Sequence, residues 1–282
     1  MIRQKSFHNE KATVYVVATP IGNLQEMTPR AIEVLKEVDV IAAEDTRNTK
    51  KLCHHFGIET NIIAHHLHNE NESVKGILKL LEEGKNISLV SDAGYPCISD
   101  PGHILVEKVI EAGYNVVPIS GSSALLNALV ASGLVPQPFV FYGFMDATEN
   151  KRAKFLEEVK GLPYTMIFYE APHRIEKMLT TSLQVLGDRN ICLARELTKM
   201  HEEFIRGKIS EVLEVVGEIK GEMVVIIEGC DKEKDVMPLP LLKEKVEQYM
   251  ESGMSSKEAI KKVAKEQGIS KNYLYREFHN EA

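Results

Sequence analysis

No stretch of this sequence approaches the apolar length of a membrane span, which excludes a bundle of transmembrane helices. The opening residues, Met1 to Lys11, are polar and lack the apolar core of a secretion signal, so the expected compartment is the cytoplasm. Cysteine is scarce. The four, Cys53, Cys97, Cys192 and Cys230, form no Cys-x-x-Cys pair, which excludes a zinc or disulfide framework and reads as reduced thiols. A basic excess is missing as well. Lys plus Arg number 34 against 41 Asp plus Glu, a formal charge of −7, and this argues against tight, non-specific polyanion binding. It leaves room for a nucleic acid presented within a larger particle. No Gly-x-Gly-x-x-Gly follows the first strand, and no Walker loop, nucleophile elbow or His-Glu-x-x-His occurs. His65, His66 and His68 lack partner ligands at a recognised spacing, so no metal is expected.

What is present suits a soluble α/β protein. Of 282 residues, 44% are hydrophobic and 27% charged, enough for a sizeable core and more than one domain. Thr13 to Ala18, Val40 to Ala43, Asn61 to His65, Ile87 to Val90 and Asn115 to Pro118 read as short buried strands. Helical patterns separate them, among them one opened by Thr28-Pro29, one stopped by Gly57, and one over Ser73 to Glu83. A break at Ser132 to Pro138 marks a domain boundary. Beyond it the pattern is strand 139–142, helix 151–159, strand 165–169, helix 175–186, strands 191–194 and 203–205, helix 210–219 and strand 223–228, which predicts a mixed sheet. Cys230 to Pro240 has linker composition. Behind it, Ser255 to Glu258 is a capping box ahead of Ala259, Ile260, Val263 and Ala264. A turn at Gly268-Ile269 and a helix capped by Ser270 complete a helix-turn-helix outline. The expected units are 12–132, 133–229 and 240–282.

The organising stretch is Ser91-Asp92-Ala93-Gly94-Tyr95-Pro96-Cys97-Ile98-Ser99-Asp100-Pro101-Gly102. A strand leading into such a loop delivers it to the carboxyl edge of a sheet, where open α/β folds bind ligands. Its glycines allow close approach and its prolines stiffen the path. Asp100 and Pro101 read as the cap and first position of the next helix. Ser122 reads either as a helix cap or, with Ser123 and the N-terminal N–H groups behind it, as part of a polar ligand site. Charged clusters sit at other strand ends: Glu44-Asp45-Thr46-Arg47, Glu170 to Arg174, and Arg195 to Glu202. Asp45 fits a local cap and salt bridge as well as a functional role, whereas Glu44 and Arg47 lie beside the expected ligand edge.

Taken together, Ala18 to Leu24, Glu44 to Arg47, His68-Asn69-Glu70, Ser91 to Gly94, Ile98 to Gly102, Tyr169 to Arg174 and Arg195 to Lys199 resemble one family from about Thr13 onward. It is the ribosomal RNA cytidine 2′-O-methyltransferase branch of the tetrapyrrole methylase superfamily. The resemblance implies two α/β domains of the tetrapyrrole methylase type, with S-adenosylmethionine held in the cleft between them, plus a small C-terminal helical segment. It also implies a homodimer and methyl transfer to a cytidine ribose in small-subunit ribosomal RNA. The donor would lie along Ile21, Gly22 and Asn23, along Ser91, Asp92, Ala93, Gly94 and Tyr95, and at Ser123, Ala124 and Tyr169. Hydroxyls at Ser91, Ser122 and Ser123, the Asp92 carboxylate and the apolar Ile21 and Tyr169 suit a ribose, an amino-acid tail and an adenine. A ribose hydroxyl is a poor nucleophile, so a positioned base is expected. Glu44, Asp45, Glu70, Glu170 and Glu196 are its candidates, with Arg47, Arg174 and Lys199 for phosphate or oxyanion contacts. The alternatives are a tetrapyrrole-precursor methyltransferase of the same fold and a non-catalytic RNA-binding or assembly module.

Overall fold

β-Branched and small apolar residues alternate between two faces in each early strand, and both faces are covered by helices. The computed structural model describes residues 3–6, 9–230, 237–267 and 269–279. Strands β1 (Thr13–Val17), β2 (Val40–Ala43), β3 (Asn61–Ala64), β4 (Ile87–Val90) and β5 (Asn115–Ile119) form a parallel sheet in the order β3-β2-β4-β1-β5. On one face, α1 (Pro29–Glu37) and α2 (Thr46–Phe56) set Ala31, Leu35 and Cys53 against Val17, Ile41 and Val117. On the other, α3 (Glu70–Glu82) and α4 (His103–Glu111) set Val74, Ile77, Leu105 and Val109 against Val14, Ala42 and Leu89. Leu35, Ile77 and Leu105 are fully buried. Each such side chain contributes about 1.5–3 kcal/mol relative to exposure.

This topology creates a gap. β1 and β4 are neighbours, yet β1 runs on through α1 on one face and β4 through α4 on the other. Chain departs from the carboxyl ends of the two strands in opposite directions, and the crevice left there is where open α/β sheets bind ligands.

The second sheet has the order β6-β7-β10-β8-β9, from β6 (Phe139–Phe144), β7 (Thr165–Glu170), β8 (Asn190–Arg195), β9 (Glu203–Lys208) and β10 (Met223–Ile227). β6 and β7 pair in parallel and the other pairs are antiparallel, the mixed sheet expected. α6 (Glu149–Val159), α7 (Ile175–Leu186) and α8 (Ile209–Leu213) cover one face, with Leu156, Met178, Leu179 and Val212 on Phe168, Leu193 and Val225. The other face is covered by α5 (Ala124–Ser132), the helix that follows β5 of the first sheet. Ala128 and Leu129 of α5 pack on Ile167, Ala194, Val224 and Ile226. Arg206 then donates to the Ala131 and Ser132 carbonyls, at 2.6 and 3.1 Å, and satisfies the carboxyl end of α5.

After the second sheet in chain order, α9 (Leu239–Glu251), α10 (Ser256–Glu266) and α11 (Lys271–His279) enclose their own core of Leu242, Val246, Ile260, Val263 and Leu274. The capping box at Ser255 and Glu258 forms as expected, and the inward set Ala259, Ile260, Val263 and Ala264 is buried. Among the described residues, no helix is long and apolar enough to cross a membrane.

Several local expectations are corrected. α3 begins at Glu70 and not at Ser73, because Asn69 folds the chain back by accepting from the His66 N–H and donating to the Ala64 carbonyl. The predicted helix 210–219 is split into α8 and a single 3₁₀ turn at Val216–Glu218. α9 starts within the stretch read as linker: Pro238 precedes it and Pro240 lies in its first turn, where no N–H is required. Residues 231–236 of that linker, and Gly268 of the predicted turn, lie outside the described residues. Asp100 and Pro101 do not cap α4, which begins at His103 behind Gly102 with no side-chain cap.

Candidate functional site

Three loops leave the carboxyl ends of β1, β4 and β5, and direct hydrogen bonds tie them into one floor. Thr19 N donates to the Gly94 carbonyl at 2.9 Å and Gly94 N returns a bond to the Thr19 carbonyl at 3.0 Å. Gly94 holds φ at +77°, a left-handed conformation that explains glycine there. The Thr19 hydroxyl donates to the Ser91 carbonyl at 3.1 Å. The third loop joins through Gly121, whose N–H donates to the Tyr95 hydroxyl at 3.2 Å. A Cβ at position 121 would lie 2.9 Å from the Ala18 Cβ and 3.1 Å from its carbonyl oxygen, so only glycine lets the loops close this far.

The second sheet supplies the opposite wall. Tyr169 lies with Ile21 and Ala124 against the apolar seam formed by α5. Its ring meets Phe141 edge-on at 4.8 Å, and it shares its apolar cluster with Leu125 in the first turn of α5. Burial pushes the Tyr169 phenol up, and the Leu125 N–H offsets part of that shift. Thus Ile21, Ser91 to Tyr95, Ala124 and Tyr169, scattered in sequence, converge on one region. Beside them is an open pocket of about 240 Å³, lined by Thr19, Pro20, Gly22, Asn48, Ser91 and Asp92 among others. Asn48 is a residue that sequence reasoning missed. Its side chain donates to Asp92 at 2.9 Å, and nothing in the α2 pattern signals that contact. Two expected donor residues have structural uses. Asn23 accepts from Gln25 N at 3.0 Å, and Ser122 donates to Glu26 at 2.8 Å; Ser123, with no side-chain cap bond, occupies the position before α5. Ser122 is therefore not the cap of α5.

The charged candidates separate by environment. Asp45 caps α2, accepting from Arg47 N at 2.8 Å, and forms an ion pair with the Arg47 guanidinium at 2.6 Å. These bonds hold its carboxyl down to about 2. Glu44 is half-buried and accepts from Asp92 N at 3.3 Å. Burial and then the negative charge of Asp100 push its carboxyl above the usual range. Asp100 is itself half-buried and raised by burial, with the Ser91 hydroxyl offsetting part of the shift. Its field also reaches Tyr169. The residue read from sequence as a helix cap therefore lies within electrostatic reach of Glu44 and Tyr169.

Glu70 is buried and has another task. Its Oε1 accepts from Gly102 N at 3.1 Å, on the turn that starts α4. His65 Nε2 stands 4.0 Å from the same oxygen, and His65 Nδ1 meets the Ser73 hydroxyl at 2.8 Å. His65 is fully buried, which pushes its imidazole down. This cluster braces the far end of the Ser91–Gly102 loop. Among the described residues, no three His, Cys, Asp or Glu side chains gather as a metal ion would require.

On the second sheet, Glu170 is buried at the end of β7 and accepts from Ala171 N at 2.9 Å. Arg174 Nε lies 3.1 Å from Glu170 Oε1, an ion pair whose direction is not that of a hydrogen bond, and Arg174 Nη2 donates to the Met145 carbonyl. Glu170 Oε2 is buried with no hydrogen-bond partner among the described residues. Burial pushes this carboxyl up, against the pull of the Ala171 N–H and Arg174. Glu196 pairs with Lys199 at 3.0 Å in a turn where Glu196 and Thr198 both have positive φ. That turn reaches the first lobe. A Cβ on Gly22 would lie 2.6 Å from Lys199 Cγ, so Gly22 makes room for a cation of the opposite lobe.

A family profile described as Tetrapyrrole (Corrin/Porphyrin) Methylases matches residues 13–213. A protein of Bacillus subtilis (strain 168) named Ribosomal RNA small subunit methyltransferase I is 49% identical over 98% of each chain. One of the same name from Escherichia coli O157:H7 is 42% identical, again over 98% of each. Among solved structures, the methyltransferase CobJ superposes with a TM-score of 0.60 at 19% identity, covering 78% of this chain and 95% of its own. Diphthine synthase does so with a TM-score of 0.60 at 12% identity, covering 77% and 90%. These last two similarities speak to the fold alone.

Proposed function

This chain belongs to the tetrapyrrole (corrin/porphyrin) methylase family, and from that premise we propose that it transfers a methyl group from S-adenosylmethionine to a cytidine ribose 2′-hydroxyl in small-subunit ribosomal RNA. Full-length relatives that carry the ribosomal RNA methyltransferase name support the acceptor class. The observation that carries the reading is the floor of three bonded loops at the switch between β1 and β4, faced by Tyr169 across the cleft.

The cleft residues fit the donor. Gly94 and Gly121 let the three loops close into one floor, Ser91 and Asp92 offer polar partners, and Ile21 and Tyr169 offer apolar walls. Bound there, S-adenosylmethionine would supply an electrophilic methyl carbon on a sulfonium. The chain must then align and deprotonate the acceptor hydroxyl. Of the five carboxylates considered, Asp45 and Glu196 are neutralised by Arg47 and Lys199, Glu70 is committed to Gly102, and Glu170 is buried against Arg174. Glu44 is half-exposed, free of a cation partner among the described residues, and raised in pKa. We assign it the proton of the acceptor oxygen. Arg47 would meet an incoming phosphate, a reading supported by its side chain being 85% exposed while it pairs with Asp45. The acting form would be a homodimer working on the small ribosomal subunit, with units 12–132, 133–229 and 240–282.

A labelled-donor assay comparing free small-subunit rRNA, isolated small subunits and a tetrapyrrole precursor tests the proposal. Label in a ribose of rRNA is expected; label in a base would overturn the chemistry, and label only in the tetrapyrrole would overturn the acceptor class. Glu44→Gln should lower kcat by about 100-fold or more while calorimetric donor affinity stays unchanged. Unchanged kcat would remove Glu44 from the reaction.

A further inference from the structure

We propose that the solvent face of α10, together with α11, is a docking surface for the ribose–phosphate backbone of structured RNA. The inference rests on the rRNA reading above and assigns part of the substrate contact to the C-terminal helices. Ala259, Ile260, Val263 and Ala264 turn one side of α10 into the core of the three-helix unit. The other side presents Lys257, Lys261 and Lys265, all exposed and spaced by four residues. Steps of four residues along an α-helix advance about 6 Å with little rotation, so the three ammonium groups form a stripe. Successive phosphates of a stacked strand repeat on a similar length.

The acidic residues of α10 do not cancel that stripe. Glu258 is held in the capping box, accepting from the Ser255 hydroxyl at 2.6 Å. Glu266 accepts from Lys245 and from the Tyr249 hydroxyl, both at 2.8 Å. The remaining cation of the helix, Lys262, sits over the Tyr249 ring at 4.0 Å and is used in packing. Lys257, Lys261 and Lys265 form no ion pair among the described residues.

Charge and aromatic content point to nucleic acid. From Ser255 onward the chain has six Lys or Arg and four Asp or Glu, or +2, so the rest of the chain carries −7 − 2 = −9. A positive stripe on a protein whose remainder is acidic offers a phosphate backbone a favourable place to land. α11 adds Tyr273, 43% exposed, a ring suited to stacking on an unpaired base, whereas Tyr275 points to another side of the helix and packs on the His279 ring at 4.5 Å.

The test is the triple variant Lys257→Gln, Lys261→Gln, Lys265→Gln in the full chain, because glutamine preserves helix propensity and length. A second variant, Lys75→Gln, Lys79→Gln, Lys154→Gln, removes the same charge from exposed sites on α3 and α6. Binding of small-subunit rRNA is measured over a salt series, and KM and kcat on small subunits alongside it. The α10 variant should weaken rRNA binding and raise KM by about tenfold or more at low salt, and flatten the log–log salt slope by about 2. Its kcat at saturation, donor affinity and melting temperature should match the intact protein, and the second variant should change little. Equal effects in both variants, or none in the first, would overturn the docking surface. A KM effect on particles without any effect on rRNA binding would make the surface a protein contact and overturn it too. Absence of RNA methylation by the intact protein would instead overturn the functional reading, and the binding comparison would still judge the surface.

Discussion

Glu44 and Asp100 come from different strand ends, and the charge of one raises the pKa of the other. A base acts in its unprotonated form, so activity is expected to rise with pH through the Glu44 pKa. Asp100→Asn removes the negative charge that raises that pKa. The rising limb of kcat against pH should therefore move to lower pH, and a limb that stays in place would show that another group governs it. Glu70 makes a different prediction because its oxygen serves Gly102 and not the substrate. Glu70→Ala strands a buried N–H, at a cost of about 1–3 kcal/mol, and should loosen the loop that carries Ser91 and Asp92. Glu70→Gln keeps an acceptor and should restore most of the stability and the donor affinity. Loss of kcat in Glu70→Gln at normal donor affinity would return Glu70 to the list of bases.

At the scale of elements, local patterns were readable wherever a single segment carries its own signal. Thr28 caps α1, Gly57 ends α2, and Ile175–Leu186 forms the helix its periodicity predicts. Ser255 and Glu258 start α10 for the same reason: the partners are three residues apart. What escaped depends on partners distant in sequence. The start of α4 is held by Glu70, 32 residues upstream, so Asp100-Pro101 mimicked a cap that the fold does not use. Asn48 and Asp92 meet across 44 residues, and Gly22 and Lys199 across two lobes. α9 was hidden by its own prolines, which read as linker and yet suit a helix start. The glycine of the third loop was visible, but its purpose was not. Gly121→Val should force the loop away from Ala18, destabilise the fold by about 1–3 kcal/mol and weaken donor binding by about tenfold. Normal calorimetric affinity in a folded variant would show that the closure of these loops is not what the donor needs.

For the whole molecule, the consequence lies in α5. Its first turn borders the loop floor through Ala124 and Leu125, which share an apolar cluster with Ile21, its middle is seated on the second sheet, and its last carbonyls are held by Arg206. A single rigid rod thus carries both the edge of the donor site and the attachment of the opposite lobe. If the second lobe rotates to admit or grip RNA, the rod must turn with it, and the donor floor cannot stay indifferent. Thermodynamic reciprocity then fixes the relation between the two ligands: whatever factor the donor applies to RNA affinity, RNA must apply to donor affinity. Donor titrations with and without rRNA, and rRNA titrations with and without donor, should return one common factor different from unity. Leu129→Ala, which loosens the seat of the rod without touching either ligand, should bring that factor toward one, while a factor of one in the intact protein would mean that the lobes act as independent binders.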